Sequence, residues 1–136
     1  MSNERSGGCR CRQVRYTCSA EPVFTGHCHC RDCQYASGGA YSTVVLLPRE
    51  AVSVQGETRR YAVTAESGNQ VTRVFCPTCG TPLFSELEGM QALLVVKAAT
   101  FDDPAFVAPL MHIWTASSQP WAEMSGKLPA FARNPE

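Results

Sequence analysis

The stretch FCPTCGTPL, residues 75–83, contains a Cys-x-x-Cys-Gly turn of the kind that forms a zinc knuckle. Backbone N–H groups in such a turn can point at the two sulfurs, and Gly80 can adopt the positive φ that the turn often requires. Cys76 and Cys79 supply two thiolates, whereas a structural zinc ion in a protein takes four ligands. The sequence therefore requires a second pair of ligands from elsewhere in the chain.

A second pair of cysteines lies in the sequence CRC close to the N-terminus. Side chains at i and i+2 of an extended segment share a face, so we expect Cys9 and Cys11 to approach one metal ion together. Combined with Cys76 and Cys79, they predict a closed, four-sulfur structural zinc site that ties the first strand to the distant turn. Such a site stabilises the fold and leaves no position for a substrate.

Residues 27–33, HCHCRDC, contain three further cysteines, Cys28, Cys30 and Cys33, and two histidines. Three protein ligands with one open position are typical of a catalytic zinc site. We therefore interpret these three cysteines as ligands of a second zinc ion, whose fourth position is left for a substrate. Together, the cysteines predict two zinc ions per chain.

The spacing within residues 27–33 also allows other arrangements. His27 or His29 can occupy the fourth position and make the second site purely structural. Cys30 and Cys33 can instead form the knuckle that partners the CPTCG turn, or they can act as a redox pair. If the segment is extended, His29 points away from the metal, which favours a supporting or packing role for both histidines.

The rest of the sequence is dominated by short strand-like runs. In QVRYTCS, residues 13–19, Val14, Tyr16 and Cys18 alternate with polar residues, which is the pattern of a half-buried strand. Cys18 stands apart from the other cysteines on this apolar face, and we interpret it as a small buried hydrophobe. Further runs rich in β-branched or aromatic residues predict strands within residues 40–47, 51–57, 59–63, 71–75, 82–87 and 92–98.

Two segments have a helical pattern. One is CRDCQYAS, residues 30–37, which stops at a pair of glycines, and the other is DDPAFV, residues 102–107, where an aspartate can cap ahead of Pro104. The expected fold is therefore mainly β with short helical turns. We expect one domain over residues 1–136, with flexible termini at residues 1–6 and 132–136.

Composition and charge argue against several classes of protein. The 136 residues contain 12 Lys and Arg and 12 Asp and Glu, so no excess positive charge is available to hold a nucleic acid. The polar N-terminus MSNERSGG has no export signal, and no apolar run is long enough to cross a membrane. We therefore expect a cytoplasmic protein, in which cysteines stay reduced and bind metal in preference to forming disulfides.

The order of these motifs resembles the glutathione-dependent formaldehyde-activating enzyme family, which also includes centromere protein V. The resemblance rests on GGCRC…VRY, GHCHCRDCQYASGGAYS, FCPTCGTPL, DDP…HIWTASSQPW and LPAF, and it runs from about Gly7 to Phe131. It implies a tent-like, zinc-bound, single-domain β fold similar to Mss4. The implied zinc ligands are those of a structural site, Cys9, Cys11, Cys76 and Cys79, and those of a second site, Cys28, Cys30 and Cys33.

The same resemblance implies a carbon–sulfur lyase that forms S-hydroxymethylglutathione from glutathione and formaldehyde. The three cysteines of the second zinc site would be the catalytic residues, and the partners would be a small-molecule thiol and an aldehyde. One departure concerns the first motif, because family members usually have Gly after its second cysteine and this chain has Arg12. No family motif identifies residues that contact glutathione.

Three functions are consistent with these features. An open three-thiolate zinc can lower the pKa of an incoming thiol, which then attacks the formaldehyde carbon. Alternatively, the site binds a thiol without turnover, or both zinc ions are structural parts of an interaction protein. No residue stands out as the acid that protonates the new hydroxyl group. His112 is expected to be a hydrogen-bonded strand residue, and Trp114 and Trp121 are expected in the core or in a pocket wall.

Overall fold

The computed structural model describes residues 4–135 of the chain. The strands are β1 Arg5–Gly8, β2 Arg15–Cys18, β3 Phe24–Cys28, β4 Ser42–Pro48, β5 Val52–Gln55, β6 Arg59–Thr64, β7 Gln70–Phe75, β8 Pro82–Leu87, β9 Leu93–Lys97 and β10 His112–Ile113. The α-helix is α1 Arg31–Ser37, and 3-10 turns span Arg49–Ala51, Ala98–Thr100, Pro104–Phe106 and Thr115–Ser117. The expectation of a mainly β fold with short helical turns is confirmed. No helix within residues 4–135 has the length and apolar character needed to span a membrane.

The strands form two sheets. The small sheet is antiparallel, with the strand order β1-β2-β5. The large sheet has the order β10-β3-β4-β9-β8-β7-β6. Its neighbouring strands are antiparallel, except that β10 pairs in parallel with β3 at one edge. This edge brings a C-terminal part of the chain next to the strand that leads into HCHCRDC.

The two faces of the large sheet have different surroundings, because alternate residues of each strand point to opposite faces. Val45 and Leu47 on β4, and Leu94 and Val96 on β9, are at most 3% exposed and belong to the same core cluster as Tyr16 of β2. This face therefore packs against the small sheet and forms the hydrophobic core. The opposite face of the large sheet lines a cleft.

Tyr16 joins the two sheets within the core. Its ring packs edge-on against Phe84 of β8, at a centroid distance of 5.2 Å, and against Phe101, at 5.5 Å. Its hydroxyl oxygen lies 2.7 Å from Thr100 Oγ1, so the buried polar atom keeps a hydrogen-bond partner. Cys18, also on β2, is 1% exposed, and burial raises the pKa of its thiol. The interpretation of Cys18 as a buried hydrophobe is confirmed.

Helix α1 begins directly after Cys30, whose Sγ accepts a hydrogen bond from a backbone N–H of the first turn. It ends at Gly38, which has a φ of 71° and closes the helix in the left-handed conformation. Gln34 is buried and its Nε2 donates to the carbonyl oxygens of His29 (2.7 Å) and Ser117 (3.0 Å). The predicted helix is thus confirmed, and its buried side is fixed by polar contacts.

The sequence does not predict β1 or β3, and for β10 it predicts only that His112 is a strand residue. β1 contains two glycines, β3 mixes glycine with polar residues, and β10 has two residues, so none of them shows the alternation typical of a strand. Pairing with neighbouring strands stabilises them instead. The second segment with a helical pattern forms the 3-10 turn Pro104–Phe106, where Asp103 Oδ1 accepts a hydrogen bond from the Ala105 N–H at 3.2 Å.

Both ends of the described chain take part in backbone pairing. Arg5 and Ser6, which the sequence assigns to a flexible terminus, belong to β1 and pair with Cys18 and Thr17. The carbonyl oxygens of residues 131–133 accept hydrogen bonds from the N–H groups of residues 114–116. Of the predicted flexible termini, residues 1–3 and 136 lie outside the described residues.

Candidate metal centres

Four cysteines from two turns that are distant in the sequence lie close together in the fold. The Sγ atoms of Cys9, Cys11, Cys76 and Cys79 all lie within 4.8 Å of one another. One pair lies in the turn between β1 and β2, and the other lies in the turn between β7 and β8. Cys9 and Cys76 are buried, and Cys11 and Cys79 are exposed. The fold therefore brings together the two motifs that the sequence analysis paired.

The spacing of these sulfurs suits a tetrahedral zinc site. Cys11 Sγ lies 3.6 Å from Cys9 Sγ and 3.8 Å from Cys76 Sγ. Sulfurs bound tetrahedrally at about 2.3 Å from one zinc ion are about 3.8 Å apart, whereas a disulfide requires about 2.05 Å. All eight cysteines are free thiols. The cluster thus fits a zinc ion in ligand type, ligand number and spacing.

The backbone of both turns donates hydrogen bonds to the buried sulfurs. The Val14 N–H donates to Cys9 Sγ at 3.3 Å, and the N–H groups of Thr78 and Cys79 donate to Cys76 Sγ at 3.3 and 3.4 Å. Backbone N–H groups that point at sulfur stabilise the negative charge of a thiolate. The turn at residues 76–80 also contains a glycine with a φ of 76°, as the sequence predicts.

The CRC motif forms a turn, and the prediction that it is extended is wrong. The Arg12 N–H donates to the Cys9 carbonyl oxygen at 3.1 Å, which closes the turn and brings the sulfurs of Cys9 and Cys11 to one side. Arg12 has a φ of 70°, a left-handed conformation that costs a residue with a Cβ atom about 1–2 kcal/mol. Glycine, the usual family residue at this position, adopts the same conformation without that cost.

Thr81 connects the two cysteine turns, and sequence reasoning missed it. Its Oγ1 accepts a hydrogen bond from the Arg10 N–H at 3.1 Å and lies 3.1 Å from Cys79 Sγ. Hydrogen bonds from the side chain and the backbone of Thr81 lower the pKa of Cys79 to about 5. The sequence signal for this interaction is a hydroxyl residue two positions after the second cysteine of the turn. A hydroxyl group at that position can stabilise the exposed thiolate.

Three cysteines meet at the junction of β3 and α1. The Sγ atoms of Cys28, Cys30 and Cys33 all lie within 4.8 Å of one another, and the first two are 3.5 Å apart. Within residues 4–135, no histidine, carboxylate or fourth cysteine joins this group. The donor type and the spacing fit a zinc ion that is held by three protein ligands.

Hydrogen bonds within this cluster concentrate negative charge on one sulfur. Cys28 and Cys33 donate to Cys30, and these bonds, with backbone N–H groups at the start of α1, lower the pKa of Cys30 to about 3. The pKa of Cys28 is raised by its hydrogen bonds to Cys30 and Cys33 and by burial. A hydrogen bond with Cys28 lowers the pKa of Cys33, but its bond to Cys30 and burial outweigh this effect and raise it to about 12. These hydrogen bonds therefore favour the thiolate form at Cys30 over the other two sulfurs.

The histidines of HCHCRDC form a separate cluster with the histidine of β10. His29 Nε2 lies 2.8 Å from His112 Nδ1, and both side chains are at most 2% exposed. His27 Nδ1 lies 2.8 Å from Thr43 Oγ1, and the ring of Tyr41 packs against His27 and His29 at centroid distances of 4.6 and 4.9 Å. Neither His27 nor His29 joins the three sulfurs. The arrangement with a histidine as fourth ligand is therefore not found.

His112 is a strand residue whose hydrogen bonding is only partly satisfied. His112 Nε2 and His29 Nδ1 are buried and have no hydrogen-bond partner. Burial lowers the pKa of both imidazoles, which favours their neutral form. The expectation of a hydrogen-bonded strand histidine thus holds for one of the two ring nitrogens.

The three cysteines lie at one end of a cleft of about 560 Å³, here called the sheet-face cleft. Its floor is the face of the large sheet opposite the core, and its apolar floor residues are Phe24, Val44, Leu46, Val71, Leu87 and Val95. Trp114 forms part of the wall, and its indole N–H donates to Asn134 Oδ1 at 3.0 Å. Trp121 is 65% exposed, so the expectation that it lies in the core or a pocket wall is wrong.

Lys97 and Arg73 are cationic side chains of the cleft lining that the sequence analysis did not identify. Lys97 Nζ donates to Ser42 Oγ at 3.1 Å, and Ser42 pairs with Cys28 across the sheet. Arg73 donates to the Asp32 carbonyl oxygen at 3.0 Å and pairs with the Asp32 carboxylate at 3.5 Å. Arg73 is therefore engaged with α1, whereas the ammonium group of Lys97 lies toward the cysteine end of the cleft.

The sequence is similar to curated proteins of three fungi. A Penicillium rubens protein named after the glutathione-dependent formaldehyde-activating enzyme is 30% identical over 80 residues, which are 59% of this chain and 41% of that protein. A Podospora anserina protein of the same name is 29% identical over 55% of this chain and 35% of that protein. An uncharacterized lyase of Schizosaccharomyces pombe is 26% identical over 60% of this chain and 56% of its own length. The matches thus span between 35% and 56% of these relatives.

A solved structure shares the fold of this chain, and a family model matches most of its sequence. The crystal structure of a Rhodobacter sphaeroides protein matches with a TM-score of 0.60 at 16% identity, over 92% of this chain and 98% of that chain. At this identity the likeness shows the fold alone. The model of the family described as glutathione-dependent formaldehyde-activating enzyme matches residues 4–117, which include all three cysteine motifs. The chain therefore belongs to the glutathione-dependent formaldehyde-activating enzyme family.

Proposed function

We propose that this chain is a zinc-dependent carbon–sulfur lyase that forms S-hydroxymethylglutathione from glutathione and formaldehyde. One observation carries the proposal: Cys28, Cys30 and Cys33 meet at the end of a cleft, and within residues 4–135 no fourth ligand joins them. The names of the family and of its relatives support the choice of thiol and aldehyde.

The two cysteine clusters would have different tasks. Cys28, Cys30 and Cys33 would hold the catalytic zinc ion, and the four-cysteine cluster would hold a structural one. When bound, zinc lowers the pKa of a thiol ligand and so supplies a thiolate nucleophile at neutral pH. The low pKa of Cys30 supports the binding of a cation by the three-cysteine cluster.

Lys97 is the residue that we assign to the aldehyde oxygen. Its ammonium group bonds to Ser42, the cross-strand neighbour of Cys28, and lies in the lining of the same cleft. When the glutathione sulfur attacks the carbonyl carbon, a C–S bond forms and the π electrons of the C=O bond move to oxygen. An ammonium group near that oxygen stabilises the developing negative charge and supplies a proton, which is replaced by the proton that the thiol has lost.

Exchange NMR on a mixture of glutathione and formaldehyde tests the proposal. Thiols add to formaldehyde readily without a catalyst, so the exchange rate between free and hydroxymethylated glutathione must be compared with and without the zinc-loaded protein. We expect acceleration in proportion to protein concentration, and loss of this acceleration in Cys30→Ser. Exchange at the uncatalysed rate in the presence of stoichiometric protein would contradict the proposal and would favour thiol binding without turnover.

A further inference from the structure

The sheet-face cleft is more apolar than the reaction of glutathione with formaldehyde requires. Its volume of about 560 Å³ lies within the range of about 300–1,000 Å³ that is typical of pockets for drug-sized ligands. Formaldehyde has no carbon chain that could contact an apolar surface, and glutathione is a charged peptide. The apolar part of the cleft therefore has no partner in the reaction proposed above.

The strand register orders the cleft lining outward from the cysteines. Cys28 pairs with Ser42 at one end of the β3–β4 ladder, and Lys97 lies one cleft-facing position further along the neighbouring strands. Leu46 and Val95, which pair with each other, lie one position beyond Lys97. Cleft-facing positions on a strand are about 7 Å apart. We call the side chains at and beyond this position the apolar zone; they are Phe24, Leu46, Val71, Leu87 and Val95.

The charged side chains of the cleft lining are engaged with other residues. Glu66, a carboxylate of the lining, accepts a hydrogen bond from Ser117 Oγ at 2.8 Å. Lys97 lies between this zone and the cysteines, with its ammonium group bonded to Ser42. Arg73 is paired with Asp32 of α1. Along the cleft, the three cysteines are therefore followed by one ammonium group and then by an apolar surface. An aldehyde with a hydrocarbon chain has groups in the same order, since its carbonyl group is followed by an apolar chain.

We propose that this chain acts on aldehydes with a hydrocarbon chain and that the apolar zone binds that chain, an inference that rests on the proposed function. With its carbonyl group between the cysteines and Lys97, such an aldehyde extends its chain over Leu46 and Val95. A C–S bond forms between thiol and carbonyl carbon, the π electrons move to oxygen, and oxygen gains a proton as the thiol loses one. The product is a hemithioacetal, and the step needs no oxidant or reductant.

A series of straight-chain aldehydes tests the proposal. Exchange NMR measures the rate of adduct formation with glutathione for formaldehyde, propanal, pentanal and heptanal, using the zinc-loaded full chain, and each rate is divided by its uncatalysed rate. Burial of one methylene group contributes about 0.8 kcal/mol, which corresponds to about a fourfold gain. We expect the rate ratio to rise about fourfold per methylene until the zone is filled. A ratio that is flat or falls with chain length overturns the proposal.

Variants of the lining provide matched controls. Val44→Phe places a larger side chain in the cleft, whereas Val54→Phe makes the same change on the small sheet, where Val54 is 43% exposed. We expect Val44→Phe to lower the rate ratio for heptanal relative to that for formaldehyde by about tenfold, which corresponds to the loss of nearly two buried methylene groups. Val54→Phe should leave this relative rate unchanged. Leu46→Ala removes apolar contact area from the zone without placing a larger side chain in the cleft. We therefore expect it to flatten the dependence of the rate ratio on chain length. An unchanged dependence in a folded Leu46→Ala contradicts the proposal, whatever the fate of Val44→Phe.

Calorimetric titration with 1-propanol, 1-pentanol and 1-heptanol separates the two proposals, because alcohols do not react with thiols. Affinity that rises with chain length, and falls in Val44→Phe, supports the binding of a hydrocarbon chain by the apolar zone. If no aldehyde adduct is then accelerated, the proposed function fails, and with it the action on aldehydes, while the binding of the chain stands. Acceleration with formaldehyde, combined with no chain-length dependence for alcohols or aldehydes, overturns the inference about the apolar zone and leaves the proposed function standing.

Discussion

Cys11 and Cys76 are 65 residues apart in the sequence, yet their Sγ atoms lie 3.8 Å apart. The contact joins the turn after β1 of the small sheet to the turn after β7 of the large sheet. A metal ion at this contact would link the two sheets, because its ligands come from both turns. The second cluster lies within residues 28–33 and cross-links nothing distant. The two clusters therefore have different consequences for the fold.

We predict that Cys76→Ser unfolds the chain. The apparent binding free energy of a structural zinc ion is about 10–16 kcal/mol, which is comparable to the whole stability of a typical domain, about 5–15 kcal/mol. Circular dichroism and proton NMR of the purified variant check this prediction. A cooperative thermal transition at the midpoint of the unsubstituted protein would contradict a structural role for the four-cysteine cluster.

Cys30→Ser is expected to keep the fold and to lose one zinc ion. Cys30 Sγ caps α1 by accepting a hydrogen bond from the Cys33 N–H, and a serine hydroxyl serves equally well at this position. Serine does not replace thiolate as a zinc ligand. Elemental analysis should give two zinc ions per chain before substitution and one after it. Two ions in the folded variant would mean that Cys30 is not a ligand.

His29→Gln should retain both zinc ions. His29 bonds to His112 and does not join the three sulfurs. Loss of this buried hydrogen bond should lower the free energy of unfolding by about 1–3 kcal/mol. Zinc analysis and denaturant titration of the same sample measure the two effects separately. A folded variant with a single zinc ion would identify His29 as the fourth ligand.

Arg12→Gly is expected to stabilise the chain by about 1 kcal/mol, because it removes the cost of a left-handed residue with a Cβ atom. Such a gain raises the Tm of a domain of this size by about 4 °C. Within residues 4–135, Arg12 and Trp114 are the non-glycine residues with positive φ. Arg10→Gly, which changes the same residue type in the same turn, is therefore the control and should lower the Tm. A ranking in which Arg12→Gly melts below Arg10→Gly would refute this explanation.

Lys97→Met should slow the protein-dependent exchange between glutathione and formaldehyde by about 100-fold or more, which is the usual effect of removing one donor to a developing oxyanion. Methionine keeps the length and the apolar stem of lysine, so the fold and the zinc content should stay the same. Lys127→Met removes the same charge at an exposed position outside the cleft lining. Equal exchange rates in the two variants would exclude Lys97 from the reaction.

The sequence predicted strands in segments where apolar and polar residues alternate, as they do around Tyr16 and Cys18 of β2. It did not predict β3, because Gly26 and His27 resemble a loop. In the fold, a Cβ atom at Gly26 would lie 2.6 Å from the ring of Phe24, so glycine is required there by packing inside a strand. That requirement depends on contacts between residues and cannot be inferred from the composition of one segment.

The grouping of the cysteines could likewise be predicted from their spacing, whereas the groups around them could not. Lys97 ends an apolar run and looks like an exposed strand terminus in the sequence. The antiparallel register of β3, β4 and β9 brings it near Ser42 and Cys28, and this register is a property of the whole sheet. Arg12 shows the converse case, since its departure from glycine is visible in the sequence but its cost appears only in the φ angle.

In the proposed function, the fourth position of the three-cysteine site belongs to the substrate thiol. Cadmium-113 NMR of the cadmium-substituted protein tests it most directly, because the chemical shift of the ion depends strongly on the number of sulfur ligands. We predict two resonances, of which the one that is lost in Cys30→Ser moves to the four-sulfur region when glutathione is added. A resonance from this site that already lies in the four-sulfur region without glutathione, or that does not respond to glutathione, would contradict the claim.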